Sequence, residues 1–435
     1  MSNYIKKVTD SLSCLISELS DNPSLFLRNP QSDFTRNRKI DFKTFVGITM
    51  NSGGGTMSKE LLDFFDFDVN TPTVSAYTQQ RSKVLPEAFE YLFKSFTSEH
   101  LTANKKYCGY RLIACDGSNL TIASNPNDPE TFWEKQSQET CMNKLHLNAF
   151  YDVMNKLYID VLVQNASEYN EFRACTIMME RSNLKDVILI ADRGYENYNV
   201  MAHAINKGWK FAIRVKDITS NGIASGTKLP ECDEFDTDVT ITFTRRQTKA
   251  SRKAGYKFMP SNQTFDYLPQ KSTGTYQLSF RILRFPISED SYEVIVTNLD
   301  RFEFSKEKIK EIYHLRWGIE TSFRELKYAI GLTSFHARKP DYIKQEIYAR
   351  LLLYNYCELI TSYVVRQMKN KDETKQVNFT VAIYICREYL RQKRNLSPPD
   401  VIKLIEKYIL PIRPNRKGQR KVKPQAYVRF LYRVA

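Results

Sequence analysis

The chain lacks any run of about 18 apolar residues, so the sequence predicts no membrane-spanning helix. Its first twenty residues hold Lys6 and Lys7 but also Asp10 and Glu18, and they lack the unbroken apolar core of a signal peptide. Eight cysteines are present, at positions 14, 108, 115, 141, 175, 232, 357 and 386. None forms a Cys-x-x-Cys pair or stands at zinc-ligand spacing from a histidine, which argues against a structural zinc site. Their scatter suits reduced thiols in a cytosolic protein. The five histidines are also scattered, and no nucleophile triad is evident. Acidic residues are in deficit, 49 Asp and Glu against 64 Lys and Arg, for a net charge of +15. An excess of that size implies a polyanionic partner, with nucleic acid ahead of an anionic membrane surface.

With 435 residues, 42% hydrophobic and 26% charged, the chain suits a soluble globular protein of two or three domains. Residues 1–105 read as a helical DNA-binding domain. Helix-period apolar residues recur over Lys43–Met50 and Ser58–Phe65, broken by Ser52-Gly53-Gly54-Gly55. Thr71-Pro72-Thr73 then looks like the start of a helix running through Arg81 and Lys83. Two helices of this kind, the second carrying Gln79, Arg81 and Lys83, suit a DNA-reading pair, and a bundle with a solvated basic face would have the same pattern.

Residues 106–217 change character. Arg111–Asp116 is a short apolar run ending in an acid, and Asn119–Ala123 reads as its return strand. Leu145–Val153 and Leu157–Gln164 are strand-like, Glu168–Arg181 is helical, and Val187–Asp192 is a second apolar run ending in an acid. Asn197–Lys207 and Trp209–Val215 come next as helix and strand. This order predicts an α/β fold with a ribonuclease H-like core, covered by helices. Residues 218–300 lose helical periodicity and read as a β-rich insertion. Residues 301–340 return to helix and finish the core, and residues 341–435 form a helical C-terminal region ending in a basic tail.

The most informative segment is Tyr313–Lys327. At about 100° per residue in one helix, and with Tyr313 at zero, Arg316 falls at about 300°, Glu320 at about 340° and Lys327 at about 320°. One carboxylate is thus flanked by two cations and a phenol on a single stripe, a pattern suited to a metal ion beside a phosphate chain. Two further acids stand at strand ends, Asp116 before Gly117-Ser118 and Asp192 before Arg193-Gly194-Tyr195. Parallel neighbouring strands would bring these two together, since ligands gather beyond the carboxyl ends of such strands. Taken singly, each has a plainer explanation: a strand-end Asp more often caps a turn, and a helical Arg-x3-Glu is usually a surface ion pair. Together, in this order, they make a candidate metal site. Clustered carboxylates repel unless cations intervene, and Mg2+ is a hard ion matched to carboxylate and phosphate oxygens. Two ions hold both the attacking and the leaving oxygen of an in-line phosphoryl substitution, with Mn2+ able to substitute. Arg316, Lys327 and Arg193 are placed to neutralise phosphates.

The spacing of Tyr313, Arg316, Glu320 and Lys327 also resembles the Tyr-x2-Arg-x3-Glu-x6-Lys signature of the insertion-sequence-four (IS-four) transposases, a cut-and-paste branch of the DDE transposases. Gly331-Leu332, His336-Ala337-Arg338 and Glu346-Ile347-Tyr348-Ala349-Arg350 resemble the stretch on the C-terminal side of that signature in the family. Asp116-Gly117-Ser118 and Asp192-Arg193-Gly194-Tyr195 resemble its two earlier catalytic blocks. The resemblance covers about residues 40–360. It implies that Asp116, Asp192 and Glu320 are a catalytic, metal-binding triad and that Tyr313, Arg316 and Lys327 contact the transposon end; on their own placement in the sequence, Arg193, Arg324, Arg81 and Lys83 are further candidate DNA contacts. It implies terminal inverted repeats and target DNA as partners, a homodimer in the synaptic complex, and a bacterial cytoplasm and nucleoid as location. Some relatives use a Trp of the β insertion to hold a flipped base while a hairpin forms. The Trp residues here, Trp133, Trp209 and Trp317, lie outside it, leaving Tyr256, Phe258, Phe265 and Tyr267 as aromatic substitutes. The expected activity is cleavage of transposon ends and transfer of the 3′-hydroxyls to target DNA. The alternatives are a two-metal structure-specific nuclease of the same fold and a transposon-derived DNA-binding protein without turnover.

Overall fold

The structure, a computed structural model, describes residues 3–101, 105–133, 142–289, 291–369, 375–391 and 399–411. The basic tail beyond Pro411 lies outside the described residues. Five helices come first: α1 (Asn3–Asp21), α2 (Phe42–Asn51), α3 (Met57–Phe64), α4 (Val74–Arg81) and α5 (Glu87–His100). Local chemistry sets their starts. Asp41, Thr56 and Thr73 each accept a hydrogen bond from the backbone N–H three residues on, satisfying a donor that the first turn leaves free. The break at residues 52–55 is as the sequence suggested. The helix expected after Thr71 begins only after Thr73, with Pro72 outside it, and stops at Arg81 rather than Lys83.

The core comprises β1 (Arg111–Thr121), β2 (Phe132–Trp133), β3 (Met142–Asp152), β4 (Leu157–Asn165), α6 (Glu171–Arg181), β5 (Val187–Ala191), α7 (Tyr198–Asn206) and β6 (Lys210–Val215). The remaining elements are β7 (Phe235–Thr244), α8 (Lys249–Lys253), β8 (Lys257–Phe258), β9 (Thr275–Ser288), β10 (Ser291–Thr297), α9 (Lys306–Leu315), α10 (Trp317–Arg324), a π-helical turn (Glu325–Ile330), α11 (Pro340–Lys369), β11 (Lys375–Val377), α12 (Phe379–Arg391), α13 (Val401–Lys407) and β12 (Ile409–Pro411).

All but β11 and β12 of the strands join one ten-stranded mixed sheet. Its heart runs β4-β3-β1-β5-β6, with β1 antiparallel to β3 and parallel to β5, and β5 parallel to β6. That is the strand order and polarity of a ribonuclease H-like sheet. The β-rich segment extends the same sheet, because β10 pairs antiparallel with β6 and then with β9. It also contains one short helix, α8, where the sequence suggested only strands and loops.

Alternation across the pleat explains why the central strands are apolar throughout. In β5, Val187, Leu189 and Ala191 enter one core cluster with α6 and α7, while Ile188 and Ile190 enter another under α9. The largest cluster lies on the far side of the β1-β3-β4 edge, where α1–α5 and α10–α13 share one continuous core. Asn355 of α11 ties that helical layer to the sheet. It accepts from the Tyr158 N–H (2.9 Å) and donates to the Tyr158 carbonyl and Thr97 Oγ1 (2.8 Å each).

A buried ionic cluster closes the layer. Glu346 of α11 pairs with Arg81 (2.6 Å) and Arg350 (3.0 Å) and accepts from the His336 N–H (3.1 Å). Burial alone would raise the Glu346 carboxyl, but Arg81, His336 and Arg350 outweigh it and hold it well below the usual carboxylate range. Removing one partner strands the others without compensation. The variant Glu346→Ala should therefore lose about 3–5 kcal/mol of stability, measured by chemical unfolding.

Candidate active site

The parallel pairing of β1 and β5 ends at Cys115 opposite Ala191. The next residue on each strand is an aspartate, so Asp116 and Asp192 emerge beside each other where the shared ladder stops. Asp116 is not at a strand end in the sense the sequence suggested. The expected return strand at Asn119–Ala123 is instead a continuation of β1, whose ladder with β3 runs from Ile113 to Thr121 and sets Asp116 opposite Ala149. Asp192 caps the short turn after β5, accepting from the Gly194 N–H (2.8 Å).

Glu320 reaches the same place from the helical side. The single helix expected over Tyr313–Lys327 is jointed: α9 ends at Leu315, Arg316 forms the joint, α10 carries Glu320, and the π-helical turn carries Lys327. The wider turn breaks the uniform 100° step, yet Lys327 still lies over the site, its Nζ donating to the Asn119 carbonyl (3.3 Å). Gly331 ends the turn at φ +99°, a backbone conformation that suits glycine. Tyr158 fixes α10 to the sheet through its hydroxyl and Ser322 Oγ (2.9 Å).

Electrostatics ties these groups together. Burial pushes the Asp116 carboxyl up to about 7, against the Gly117 N–H that holds its Oδ1 at 2.8 Å. The charges of Asp192 and Glu320 push it the same way, and Arg316 opposes them. Arg316 is buried and donates to Glu320 Oε1 (2.7 Å); burial disfavours its charge, but Tyr313, Glu320 and Asp116 more than restore it. Burial lowers the Lys327 ammonium, with Asp116 opposing. The Tyr313 phenol is raised by burial and its oxygen has no hydrogen-bond partner.

Arg193 is exposed at the mouth of a cleft shared with Lys216, Lys257 and Phe258 of the β insertion. Arg324 is exposed one turn beyond Glu320. Lys83 is half-buried beside Gln80, Arg36 and Arg38 in a basic hollow. Arg81, read from the sequence as a DNA contact, is instead 2% exposed. Its guanidinium is committed to Glu346, Gln345 and the Tyr342 carbonyl, which leaves no face for a phosphate. Of the aromatic substitutes, Phe265 is core, while Tyr256 and Phe258 are exposed. Sequence reasoning missed three groups near the acids. Glu293 of β10, raised by burial, is opposed by Arg214 (3.2 Å), Arg316 and Arg193. Glu171 and His146 lie against Gly117. No motif spacing marks them, since they sit on three elements that only the sheet brings together.

Residues 107–356 match the transposase DDE domain family. The chain belongs to the DDE transposase family. Among curated DDE relatives it is similar to the putative transposase InsL for insertion sequence element IS186A of Escherichia coli (strain K12), 37% identical over 59 residues. That match spans 14% of this chain and 16% of the relative. The transposase for insertion sequence element IS421 of Escherichia coli matches at the same identity and extent. Across 99% of this chain and 88% of the other, the protein is also similar to piggyBac transposase solved in a synaptic complex with hairpin DNA, with a TM-score of 0.46 and 8% identity. Among the described residues no helix is long and apolar enough to cross a membrane.

Divalent metals are general in the DDE family, and the donor set here suits one. Among the described residues, no three His, Cys, Asp or Glu side chains stand close enough to enclose an ion. Each acid is turned instead to a partner within the chain: Asp116 to Gly117, Asp192 to Gly194, Glu320 to Arg316. A carboxyl raised by its neighbours' charges gains from a cation, and hard oxygen donors favour Mg2+. The folded protein holds a proton on Asp116 up to about pH 7, whereas an ordinary aspartate loses it near 4. The native state then binds more protons than the unfolded one in that window, so stability should fall as pH rises through it. The thermal midpoint should decline between about pH 4 and about pH 7 in the wild type and less in Asp116→Asn, and Mg2+ at about pH 8 should raise it only in the wild type.

Proposed function

We propose that this protein is a DNA transposase of the IS-four type, which binds terminal inverted repeats, cuts the transposon ends and joins the 3′-hydroxyls to target DNA by phosphoryl transfer. What supports the reading is that Asp116 and Asp192 follow the last paired residues of two parallel strands and that the charges of Asp192 and Glu320 both act on Asp116. Asp116, Asp192 and Glu320 would hold two Mg2+ ions, with Mn2+ as substitute, and these supply activation of the attacking oxygen and neutralisation of the leaving one.

The chain's own groups do the rest. With a cation bound, Glu320 would turn from Arg316 toward it, which would leave the guanidinium free to take a phosphate in two parallel hydrogen bonds. Lys327, partly desolvated over Asn119, adds a point charge on the DNA backbone. Tyr313 offers its unpartnered hydroxyl. Arg193 and Arg324, both exposed, extend the cationic track away from the acids, and Lys83 with Arg36 and Arg38 adds a second basic surface. The net charge of +15 suits a DNA partner, and a homodimer is the arrangement that processes two ends together. A bacterial cytoplasmic, nucleoid-associated location belongs to the same reading.

The test uses a labelled duplex carrying the inverted repeat that flanks the coding sequence. With Mg2+, joined products mark a transposase, and cuts without joining mark a nuclease. Glu320→Gln should bind the duplex as the wild type does and lose several kcal/mol of transition-state stabilisation, about a thousandfold in cleavage rate. Cleavage at the wild-type rate would remove Glu320 from the site. Affinity should also fall at least about tenfold between about 50 mM and about 200 mM salt, and a flat response would rule out a phosphate-tracking surface.

A further inference from the structure

The two glycines downstream of the site aspartates have one neighbour in common. A Cβ at Gly117 would stand 2.5 Å from Glu171 Oε1 and would also collide with His146 Nε2. A Cβ at Gly194 would stand 3.6 Å from Glu171 Oε2 and 2.9 Å from Asp192 Oδ1. Gly117 is thus needed for space, and the Glu171 carboxylate lies within reach of both glycines. At Gly194 it stands with Asp192 around a single point.

Glu171 comes from the first turn of α6, whose cap is Asn170. An acid in a first turn suits the helix dipole while facing solvent. Glu171 instead turns inward, with its side chain 24% exposed, toward His146. His146 is 2% exposed. Its Nδ1 meets Asn119 Oδ1 at 2.9 Å, on the residue whose carbonyl takes Lys327. Its Nε2 stands 3.2 Å from Glu171 Oε1, yet out of line, so that this buried nitrogen makes no hydrogen bond. A buried, unpartnered imidazole nitrogen aimed at a carboxylate in this position calls for a function.

We propose that Glu171, steadied by His146, is a further catalytic residue of this site and accepts the proton of the attacking oxygen. The proposal rests on the reading that the site carries out phosphoryl transfer on DNA. In that reading Asp116, Asp192 and Glu320 would hold the cations, which would leave none of them to take a proton. Glu171 lies near Asp192, reaching it from the α6 face of the sheet, and among the described residues it pairs with neither Arg nor Lys. As the oxygen of water, or of a DNA 3′-hydroxyl, bonds to phosphorus, its O–H bond breaks and the proton passes to Glu171. The P–O3′ bond breaks at the same centre, and its electron pair leaves with the 3′ oxygen, which is protonated from solvent. His146 is a positioning residue: its ring, held at Nδ1 by Asn119, walls the Glu171 carboxylate on one side by contact rather than by a hydrogen bond.

The test compares Glu171→Gln, Glu171→Asp and Asp116→Asn with the wild type on the labelled end duplex. Three measurements are made: affinity, single-turnover cleavage with Mg2+ across pH, and the rise of the unfolding midpoint with Mn2+. Glu171→Gln should cleave on the order of 100-fold more slowly while binding the end within about threefold of the wild type. It should keep the Mn2+-dependent rise that Asp116→Asn loses, which separates a proton acceptor from a metal ligand. Its residual rate should climb with pH where the wild type is level, because hydroxide then replaces the missing base, and Glu171→Asp should recover part of the loss. A glutamine variant that cleaves within about threefold of the wild type overturns the proposal. So does a loss shared by Glu171→Asp and accompanied by a lower midpoint or weaker end binding, which marks a purely structural role. A wild type that binds the end and never cuts it would instead overturn the phosphoryl-transfer reading, and this proposal with it.

Discussion

The site depends on one backbone register. Five residues of β1 pair in parallel with β5, from Arg111 opposite Val187 to Cys115 opposite Ala191. Burial on both faces enforces that pairing, because the side chains of these strands feed different core clusters in strict alternation. A slip of one residue would send Ile188 and Ile190 to the wrong layer and turn Asp116 away from Asp192. The hydrophobic pattern therefore does more than stabilise the sheet. It sets the relative height of the two acids, and no side-chain contact between them is needed to do so.

The second constraint is charge. Burial at the end of the ladder raises the proton affinity of the Asp116 carboxyl, and the charges of Asp192 and Glu320 add to it. The chain manages the repulsion with its own donors, two glycine N–H groups and the Arg316 guanidinium. Asp192 caps a turn, and Arg316 and Glu320 form an i, i+4 ion pair, so the plain explanations hold at both positions. Under the proposed function the same donors would give way to a metal and a phosphate.

Strand order and the apolar runs were legible in the sequence, because alternation across a buried sheet leaves a direct trace in residue type. The helical character of Tyr313–Lys327 was legible too, from its apolar period. The continuous β1 was not, because Gly117-Ser118 has the composition of a turn and only pairing with β3 keeps it extended. The joint at Arg316 and the π-helical turn were hidden for a similar reason: both are set by what the helix packs on. Arg81 shows the limit of reading charge as exposure. Its partner Glu346 lies 265 residues away, and a buried pair of that separation has no local signature. Glu171 and His146 were missed for the same cause, being brought to the acids by sheet pairing and helix docking.

That distant pairing also bears on the site. Glu346 fixes Arg350, which donates to the carbonyls of Gly331 (2.7 Å) and Ser334 (2.8 Å). Gly331 is the residue that ends the π-helical turn carrying Lys327. Tyr354, one turn further along the same long helix, donates to Glu325 (3.1 Å), and Ser322 meets Tyr158, whose backbone is held by Asn355. The helix bearing Glu320 is thus gripped from α11 at Glu325 and Gly331, and from the sheet at Ser322. Glu320 and Lys327 project from the opposite side of that grip toward Asp116. Their positions are set by buried polar contacts behind the helix, so the placement of the site is supplied by the core layer that the helix packs on.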